Sequence, residues 1–248
     1  MAESTVQIPT VAPVRRSLRV TGKRRPGTAE RILDVAGDLF AAEGVRAVST
    51  NRIASTARIS PGNLYYWYAD RQAIVRALFA RYARAHAAVW DGIDPDNVTP
   101  ERLDRLVAAG ARITADHPYF ARDLITLVRD DEELAEAYRA VRVQRRELFG
   151  RVARGWHDRG VLVPVDDDRL DHVVEALLVL AESWWAFAQL DDERPEPVEG
   201  ERLIRALIEP YLVPGVQGAP WPSSPRSRRT PDDEPAVASP PRCGRRRH

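Results

Sequence analysis

Short polar and aromatic side chains cluster in the segment SPGNLYY, at the predicted start of a helix. Ser60 is a good N-cap, and Pro61 suits the first helical position. The free N–H groups and partial positive charge of a helix N-terminus favour contact with a phosphate. Gly62 allows close backbone approach, Asn63 can hydrogen-bond a base edge or the backbone, and Tyr65 can contact a base or a phosphate. The segment therefore predicts contacts with duplex DNA.

Three short helices are predicted to hold this segment outward. The first starts at Thr28, has an apolar face of period 3.6 and stops at Gly44. The second starts at Ser49 or Thr50, and the third runs from Ser60 to about residue 67 after a turn, which makes a helix-turn-helix. The residues expected to pack inward are Ile32, Leu39, Phe40, Ile53, Ala54, Ala57, Ile59 and Leu64.

The rest of the central chain also predicts helices. A fourth begins near Arg71 and runs toward Trp90, and proline or glycine separates the later ones. No segment alternates with period 2 for long enough to predict a strand. The class is therefore all-α with about nine helices, the later ones at about 100–115, 118–129, 132–158, 168–190 and 199–212.

Charged residues are distributed unevenly along the chain. The net charge of the 248 residues is only +1, yet residues 28–90 carry eight basic and five acidic side chains, whereas residues 91–212 carry 16 and 27. The first region can therefore face a polyanion that the second would repel. The arm at 1–25 ends in a basic cluster, the tail at 214–248 is rich in Pro and Arg, and both are predicted to be disordered.

Several classes of site are disfavoured by the sequence. Cys243 is the single cysteine, so no disulfide framework or CxxC site is possible, and the histidines have no metal-binding spacing. No Gly-rich phosphate loop, nucleophile elbow or HExxH pattern supports an enzyme. No apolar run approaches a membrane span, the longest candidate being 176–188, and the N-terminus lacks a secretory signal. We therefore expect a cytoplasmic protein without a cofactor, a bound metal or a membrane partner.

The stretch from Thr28 to Leu78 resembles the DNA-binding domain of the TetR/AcrR family of transcriptional regulators. The resemblance rests on the pattern ILDVAGDLFAAEG, the pair Ser49-Thr50 and the segment SPGNLYY in that order. It implies a helix-turn-helix domain at 26–72 and a helical effector-binding and dimerisation domain at 73–213. The DNA-contacting positions that it implies are Ser49, Thr50, Asn51, Ser60, Pro61, Gly62, Asn63, Tyr65, Tyr66 and Arg71.

This sequence departs from the family pattern at a few positions. Trp67 stands where a His is common, Tyr68 where a Phe is, and Arg71 where a Lys is usual. Arg58 occupies a turn position that is often Gly, which costs of order 1 kcal/mol if the position requires a positive φ. We expect Tyr68 to lie in the core, whereas Trp67 could either pack inward or contact the DNA backbone.

The resemblance also implies dimerisation through helices 168–190 and 199–212, and the broad apolar stripe of the first of these supports it. Two-fold symmetry would place two recognition helices one DNA turn apart. A small, mostly apolar effector of unknown identity would bind among the middle helices, and the candidate lining residues are Phe120, Leu124, Trp156, Trp184 and Trp185. The expected function is a ligand-responsive, homodimeric repressor that binds an operator in double-stranded DNA.

Two alternatives remain open at this point. The first is a DNA-binding protein that responds to no effector, which the sequence does not exclude. The second is an all-α enzyme, although the sequence contains no motif that supports it.

Overall fold

A computed structural model describes residues 27–191 and 195–215. Within these residues the chain forms nine α-helices, two short 3-10 helices at Pro95–Asn97 and Glu209–Tyr211, and no strand beyond one isolated bridge between Leu162 and Leu212. The α-helices are α1 (Thr28–Glu43), α2 (Thr50–Thr56), α3 (Pro61–Trp67), α4 (Arg71–Ala88), α5 (Pro100–Ala115), α6 (Pro118–Asp130), α7 (Glu132–Asp158), α8 (Asp167–Asp191) and α9 (Pro197–Ile208).

The predicted all-α class is confirmed for these residues, and most helix starts agree with the prediction. The last helix differs, since it begins at Pro197 and ends at Ile208 instead of continuing to residue 212. Pro210 cannot continue an α-helix, so the chain tightens there into the 3-10 turn. The predicted arm (1–25) and nearly all of the predicted tail (214–248) lie outside the described residues.

Helix α8 corrects the expectation that no segment is long enough to span a membrane. The stretch Asp167–Leu190 is long and apolar enough to cross a membrane by length and composition alone. In its most apolar segment, 28% is buried inside the protein. The predicted apolar run, 176–188, is shorter and contains Glu182, whose carboxylate accepts a hydrogen bond from Arg142 at 2.8 Å. A partly buried helix that packs against α7 and α9 explains the same composition without a membrane.

The helix-turn-helix shares one hydrophobic core with the helices that follow it. Apolar residues of α1 to α4 pack together as predicted, and Ile32, Phe40, Ile53 and Leu64 are fully buried. Ile59 is only partly buried against the same core. The cluster also contains residues from α6 and α7, which are Tyr119, Phe120 and Leu134.

A second core lies among α5, α7, α8 and the chain beyond α9, and it includes Val152 and Trp156. The indole N–H of Trp156 donates to the carbonyl oxygen of Val98 at 2.7 Å, which holds the loop before α5 against α7. Gly155 allows the 3-10 turn at Pro95–Asn97 to lie directly against α7.

Helix α4 begins at the predicted boundary between the two domains. Ile74, Val75 and Leu78 on its first half belong to the first core. Tyr82 and His86 on its second half line a large cavity between the later helices. The domain boundary at residue 72 stays a prediction, because α4 contributes residues both to the first core and to the cavity wall.

Gly155→Ala is expected to lower the free energy of unfolding by about 1–3 kcal/mol. An added Cβ would lie 2.5 Å from the carbonyl oxygen of Asp96, and backbone on both sides must shift to relieve the contact. Urea denaturation followed by circular dichroism would measure the change.

Gly62→Ala is the matched control, because a Cβ at Gly62 meets nothing within 4 Å. Alanine also favours a helix over glycine by up to about 1 kcal/mol, so this variant should be no less stable than the wild type. Equal unfolding midpoints for the two variants would contradict the close approach at Gly155.

Candidate nucleic-acid interface

An N-terminal cap and one buried side chain hold helix α3 in place. The Ser60 hydroxyl accepts a hydrogen bond from the backbone N–H of Asn63 at 3.2 Å, and Pro61 occupies the first helical position, as predicted. Leu64 is fully buried and fixes the inner face of the helix. Ser60, Pro61 and Gly62 are exposed, so the start of the helix lies at the surface.

The outer surface of α3 carries small residues and phenol rings. Pro61 and Gly62 are exposed, and Asn63 is half-buried. Tyr65 and Tyr66 each expose 49% of their surface, which is high for tyrosine side chains on a folded helix. This surface is narrow and rich in hydrogen-bonding groups, as entry into the major groove requires.

A hydrogen bond joins α2 to α3 at this surface. The Thr50 hydroxyl and the Tyr65 hydroxyl lie 3.0 Å apart, and either can donate. Ser49 caps α2 by accepting from the backbone N–H of Arg52 at 3.2 Å, and Asn51 is exposed beside it. The predicted residues of the two helices thus form one continuous polar surface.

Arg71 has a structural contact that the sequence did not indicate. Its Nη1 donates to the carbonyl oxygen of Arg46 at 3.1 Å and, more weakly, to that of Val48 at 3.5 Å. These bonds attach the connection between α1 and α2 to the start of α4. A guanidinium has five N–H donors, so those that remain can still reach a phosphate.

The aromatic run after Tyr65 divides between surface and core. Tyr68 is half-buried, its hydroxyl donates to the Ala29 carbonyl at 3.4 Å, and burial raises the pKa of its phenol to about 12. Trp67 packs partly against the first core and meets the Tyr66 ring edge-on at 5.4 Å. Of the two alternatives for Trp67, inward packing or contact with the DNA backbone, the structure therefore supports inward packing.

The turn between α2 and α3 requires a positive φ at Arg58. This residue has φ 54°, and it is the only residue other than glycine with a positive φ in the described parts of the chain. The turn closes because the Ile59 N–H donates to the Ala54 carbonyl at 3.0 Å. The strain expected at Arg58 from the family pattern is therefore present.

Exposed ion pairs surround the helix-turn-helix. Arg52 pairs with Glu43 at 3.1 Å, and Arg46 pairs with Asp130 at 2.9 Å. Such pairs contribute at most about 1 kcal/mol each, so either arginine can exchange its carboxylate for a DNA phosphate at small cost.

A large cavity of about 710 Å³ lies among α4, α5, α7 and α8. Of the five predicted effector residues, Trp184 lines this cavity, and Trp156 lines a smaller one between α5, α7 and α8. Phe120 lies in the first core, and Trp185 is also buried. Leu124, on α6, is among the lining residues of neither cavity.

Three polar residues in the wall of the large cavity were not predicted from the sequence. They are His86, Arg145 and Glu182, on α4, α7 and α8, and each has one buried polar atom without a hydrogen-bond partner among the described residues. Nothing in their local sequence marks them, since each is a single polar residue on an amphipathic helix.

Two family models match the chain. The model described as "Bacterial regulatory proteins, tetR family" matches residues 32–78, which contain α2 and α3. The model TetR, described as "Bacterial transcriptional repressor", matches residues 69–218, which is more than half of the chain.

Individual relatives agree with the family match. The "Uncharacterized HTH-type transcriptional regulator YdeS" of Bacillus subtilis is 26% identical over 170 residues, which are 68% of this chain and 83% of that protein. A solved TetR-family regulator from Marinobacter aquaeolei VT8 is 26% identical with a TM-score of 0.69, covering 75% of this chain and 92% of that one. A structure described as "SmeT-Triclosan complex" is 16% identical with a TM-score of 0.58, covering 80% of this chain and 100% of that one, and so shares the fold.

Arg58→Gly is expected to stabilise the protein by about 0.5–1 kcal/mol, because glycine adopts a positive φ without a steric cost. For a chain of this size that corresponds to a rise in Tm of about 1–3 °C, measurable by calorimetry. Ala57→Gly is the control, since Ala57 has φ −73° and should gain nothing from glycine. A lower Tm for Arg58→Gly would show that the arginine side chain makes contacts that outweigh the strain.

Proposed function

The chain belongs to the TetR family of bacterial transcriptional regulators, and we propose that it is a homodimeric repressor released from its operator by a small, mostly apolar effector. Family members are DNA-binding regulators and not enzymes, which removes the enzyme alternative. Since the operator lies in chromosomal DNA, the proposed place of action is the cytoplasm.

The proposed DNA contacts fall into two groups. Ser49, Thr50, Tyr66 and Arg71 bind phosphates and position the protein. Ser60 and Pro61 place the start of α3, with the partial positive charge of a helix N-terminus, beside the same phosphates. Asn51, Gly62, Asn63 and Tyr65 approach the base edges in the major groove. The hydrogen bond between Thr50 and Tyr65 supports this assignment, because it holds the phenol ring at the outer surface.

Helix α4 carries the main support for effector control. Ile74 and Leu78 pack in the core of the helix-turn-helix, and His86 lies in the cavity wall about 18 Å from Ile74 along the helix. A ligand that shifts the second half of α4 therefore also moves the residues on which α1 and α3 rest. For release, the effector must bind the state with wrongly spaced recognition helices more tightly than the DNA-binding state.

Cavity size and one neighbour in the structure comparison support a small-molecule effector. A volume of about 710 Å³ is in the range of ligand-binding pockets, and apolar side chains form most of the wall. The SmeT protein, which shares the fold, has been solved as a complex with triclosan. These observations favour the effector-dependent regulator over a protein that binds DNA constitutively.

The proposed dimer interface is the exposed apolar face of α8 and α9. Val179, Phe187 and Leu190 recur at spacings that place them on one side of α8, with 49%, 67% and 79% of their surface exposed. Leu203 on α9 is 47% exposed. Pairing these faces about a two-fold axis would bury them and space two recognition helices about 34–36 Å apart, one turn of DNA.

Asn63→Ala and Tyr65→Ala are expected to weaken binding to an operator duplex, selected from a random library with the wild-type protein, by about tenfold or more each. Non-specific binding to an unrelated duplex should change much less, because base contacts give specificity. Fluorescence anisotropy at fixed salt would measure both affinities.

Val143→Ala is the control for this experiment, since Val143 is 56% exposed on α7 and far along the chain from the recognition helix. It should bind like the wild type. If both α3 variants keep full affinity for the selected duplex, the proposed recognition surface is wrong.

Phe187→Arg is expected to convert the dimer to monomers at micromolar concentration, because two guanidinium groups would face each other across the two-fold axis. Sedimentation equilibrium would measure the mass. Ile125→Arg replaces another exposed apolar residue, 71% exposed on α6, and should leave the dimer intact. Dimers in both variants would exclude α8 as the interface.

A further inference from the structure

Apolar side chains form most of the wall of the large cavity, and Trp90, Ile93, Leu106 and Phe149 are among them. Three of its polar residues have buried side-chain atoms, and we define these residues, His86, Arg145 and Glu182, as the polar cluster. They come from three different helices. A ligand that fills the cavity must therefore be apolar over most of its surface and carry a polar group where it meets this cluster.

Hydrogen bonds to neighbouring residues satisfy only some of the polar atoms in this cluster. One Glu182 oxygen, Oε2, accepts from the Tyr138 hydroxyl at 2.6 Å and from Arg142 Nη1 at 2.8 Å. The other oxygen, Oε1, has no hydrogen-bond partner in residues 27–191 and 195–215, and Arg145 Nη1 lies 3.8 Å from it, beyond hydrogen-bond distance. Arg145 Nη2 and His86 Nε2 are likewise buried without a partner.

The unpartnered atoms of Arg145 and Glu182 need opposite hydrogen-bonding partners. Arg145 Nη2 can only donate, and the ionised Glu182 can only accept. A hydroxyl group accepts one bond and donates another, so it serves both atoms at once. A carboxylate offers acceptors alone, and an ammonium group offers donors alone.

Charge balance also favours an uncharged group. Arg142 and Arg145 oppose Glu175 and Glu182, and Arg142 pairs with both carboxylates. Arg146 also approaches Glu175, at 3.9 Å, but it is more exposed and does not line the cavity. Burial and the positive charge of Arg145 lower the pKa of His86 to about 3, so its imidazole is neutral near pH 7. The other charged lining residues, Arg84, Asp91 and Arg151, are exposed. A charged ligand would thus add an uncompensated charge to the polar cluster.

We propose that the effector cavity takes a mostly apolar, uncharged molecule with one hydroxyl group, an alcohol or a phenol, whose oxygen accepts from Arg145 and donates to Glu182. The assignment rests on the proposed function, since it names the class of effector for that same cavity. The hydroxyl lies at the polar cluster, and the apolar body extends toward Trp90 and Phe149.

Four probes with one biphenyl skeleton test the assignment by isothermal titration calorimetry on the full-length protein without DNA. They are 4-phenylphenol, 4-methoxybiphenyl, biphenyl-4-carboxylate and biphenyl-4-methylammonium. The phenol should bind about tenfold or more tightly than each of the others, because it alone supplies a donor and an acceptor without a net charge. Tighter binding of a charged probe, equal binding of all four, or binding of none would overturn the proposal.

Two variants separate a direct contact from a structural role. Arg145→Met should weaken binding of both the phenol and the ether but keep the preference for the phenol, because the phenol still donates to Glu182. It should also increase the affinity for the ammonium probe, since it leaves an excess negative charge. Glu182→Gln should instead increase the affinity for the carboxylate probe. Arg139→Met, a control at an exposed position of α7 that pairs with Glu132 and does not line the cavity, should leave the order of the four probes unchanged. Loss of binding to all probes without these opposite shifts would contradict direct contact.

Release of the selected operator duplex is measured separately with 4-phenylphenol. If the phenol binds with the expected selectivity but leaves the duplex bound, the ligand class stands and the proposed release by an effector fails. If a carboxylate or ammonium probe releases the duplex and the phenol does not, effector control stands and the ligand class fails.

Discussion

The aromatic contacts between α1, α4 and α6 are the constraint on which the rest of the structure depends. Phe40 and Tyr119 meet edge-on at 6.0 Å, and Phe79 meets Phe120 edge-on at 5.7 Å. Because protein interiors are close-packed, a shift of α4 or α6 must be accommodated by α1. The helix-turn-helix therefore does not rest on a core of its own, and its orientation depends on the helices that surround the cavity.

The recognition helix is stable only through this shared core. A seven-residue helix cannot persist alone in water, because nucleation costs more than its few hydrogen bonds return. Ser60 caps it, Leu64 buries its inner face, and the bond between Thr50 and Tyr65 joins it to α2. Pro61 and Gly62 at its first turn and Tyr65 and Tyr66 further along are exposed, so stability and accessibility come from opposite sides of one short helix.

Local signals made the helices and the DNA-facing surface predictable from the sequence. Proline at the first position of α3, α5 and α6, a capping hydroxyl before α2 and α3, and the 3.6-residue period of α1 each act within a few residues. The positive φ of Arg58 was also foreseeable, because the family that the sequence resembles often has glycine at this turn position. What escaped prediction nearby was the bond from Arg71 to the Arg46 carbonyl, which depends on how two separate segments meet.

The cavity was less predictable because residue type alone does not separate core from lining. Phe120 and Trp184 have the same apolar character, yet one fills the first core and the other borders the cavity. His86, Arg145 and Glu182 resemble ordinary polar residues of surface helices until α4, α7 and α8 pack around them. A buried polar atom without a partner costs free energy, and three such atoms among the described residues lie in the wall of this one cavity, which favours a binding surface there. Such atoms can be recognised only when the packing of distant helices is known.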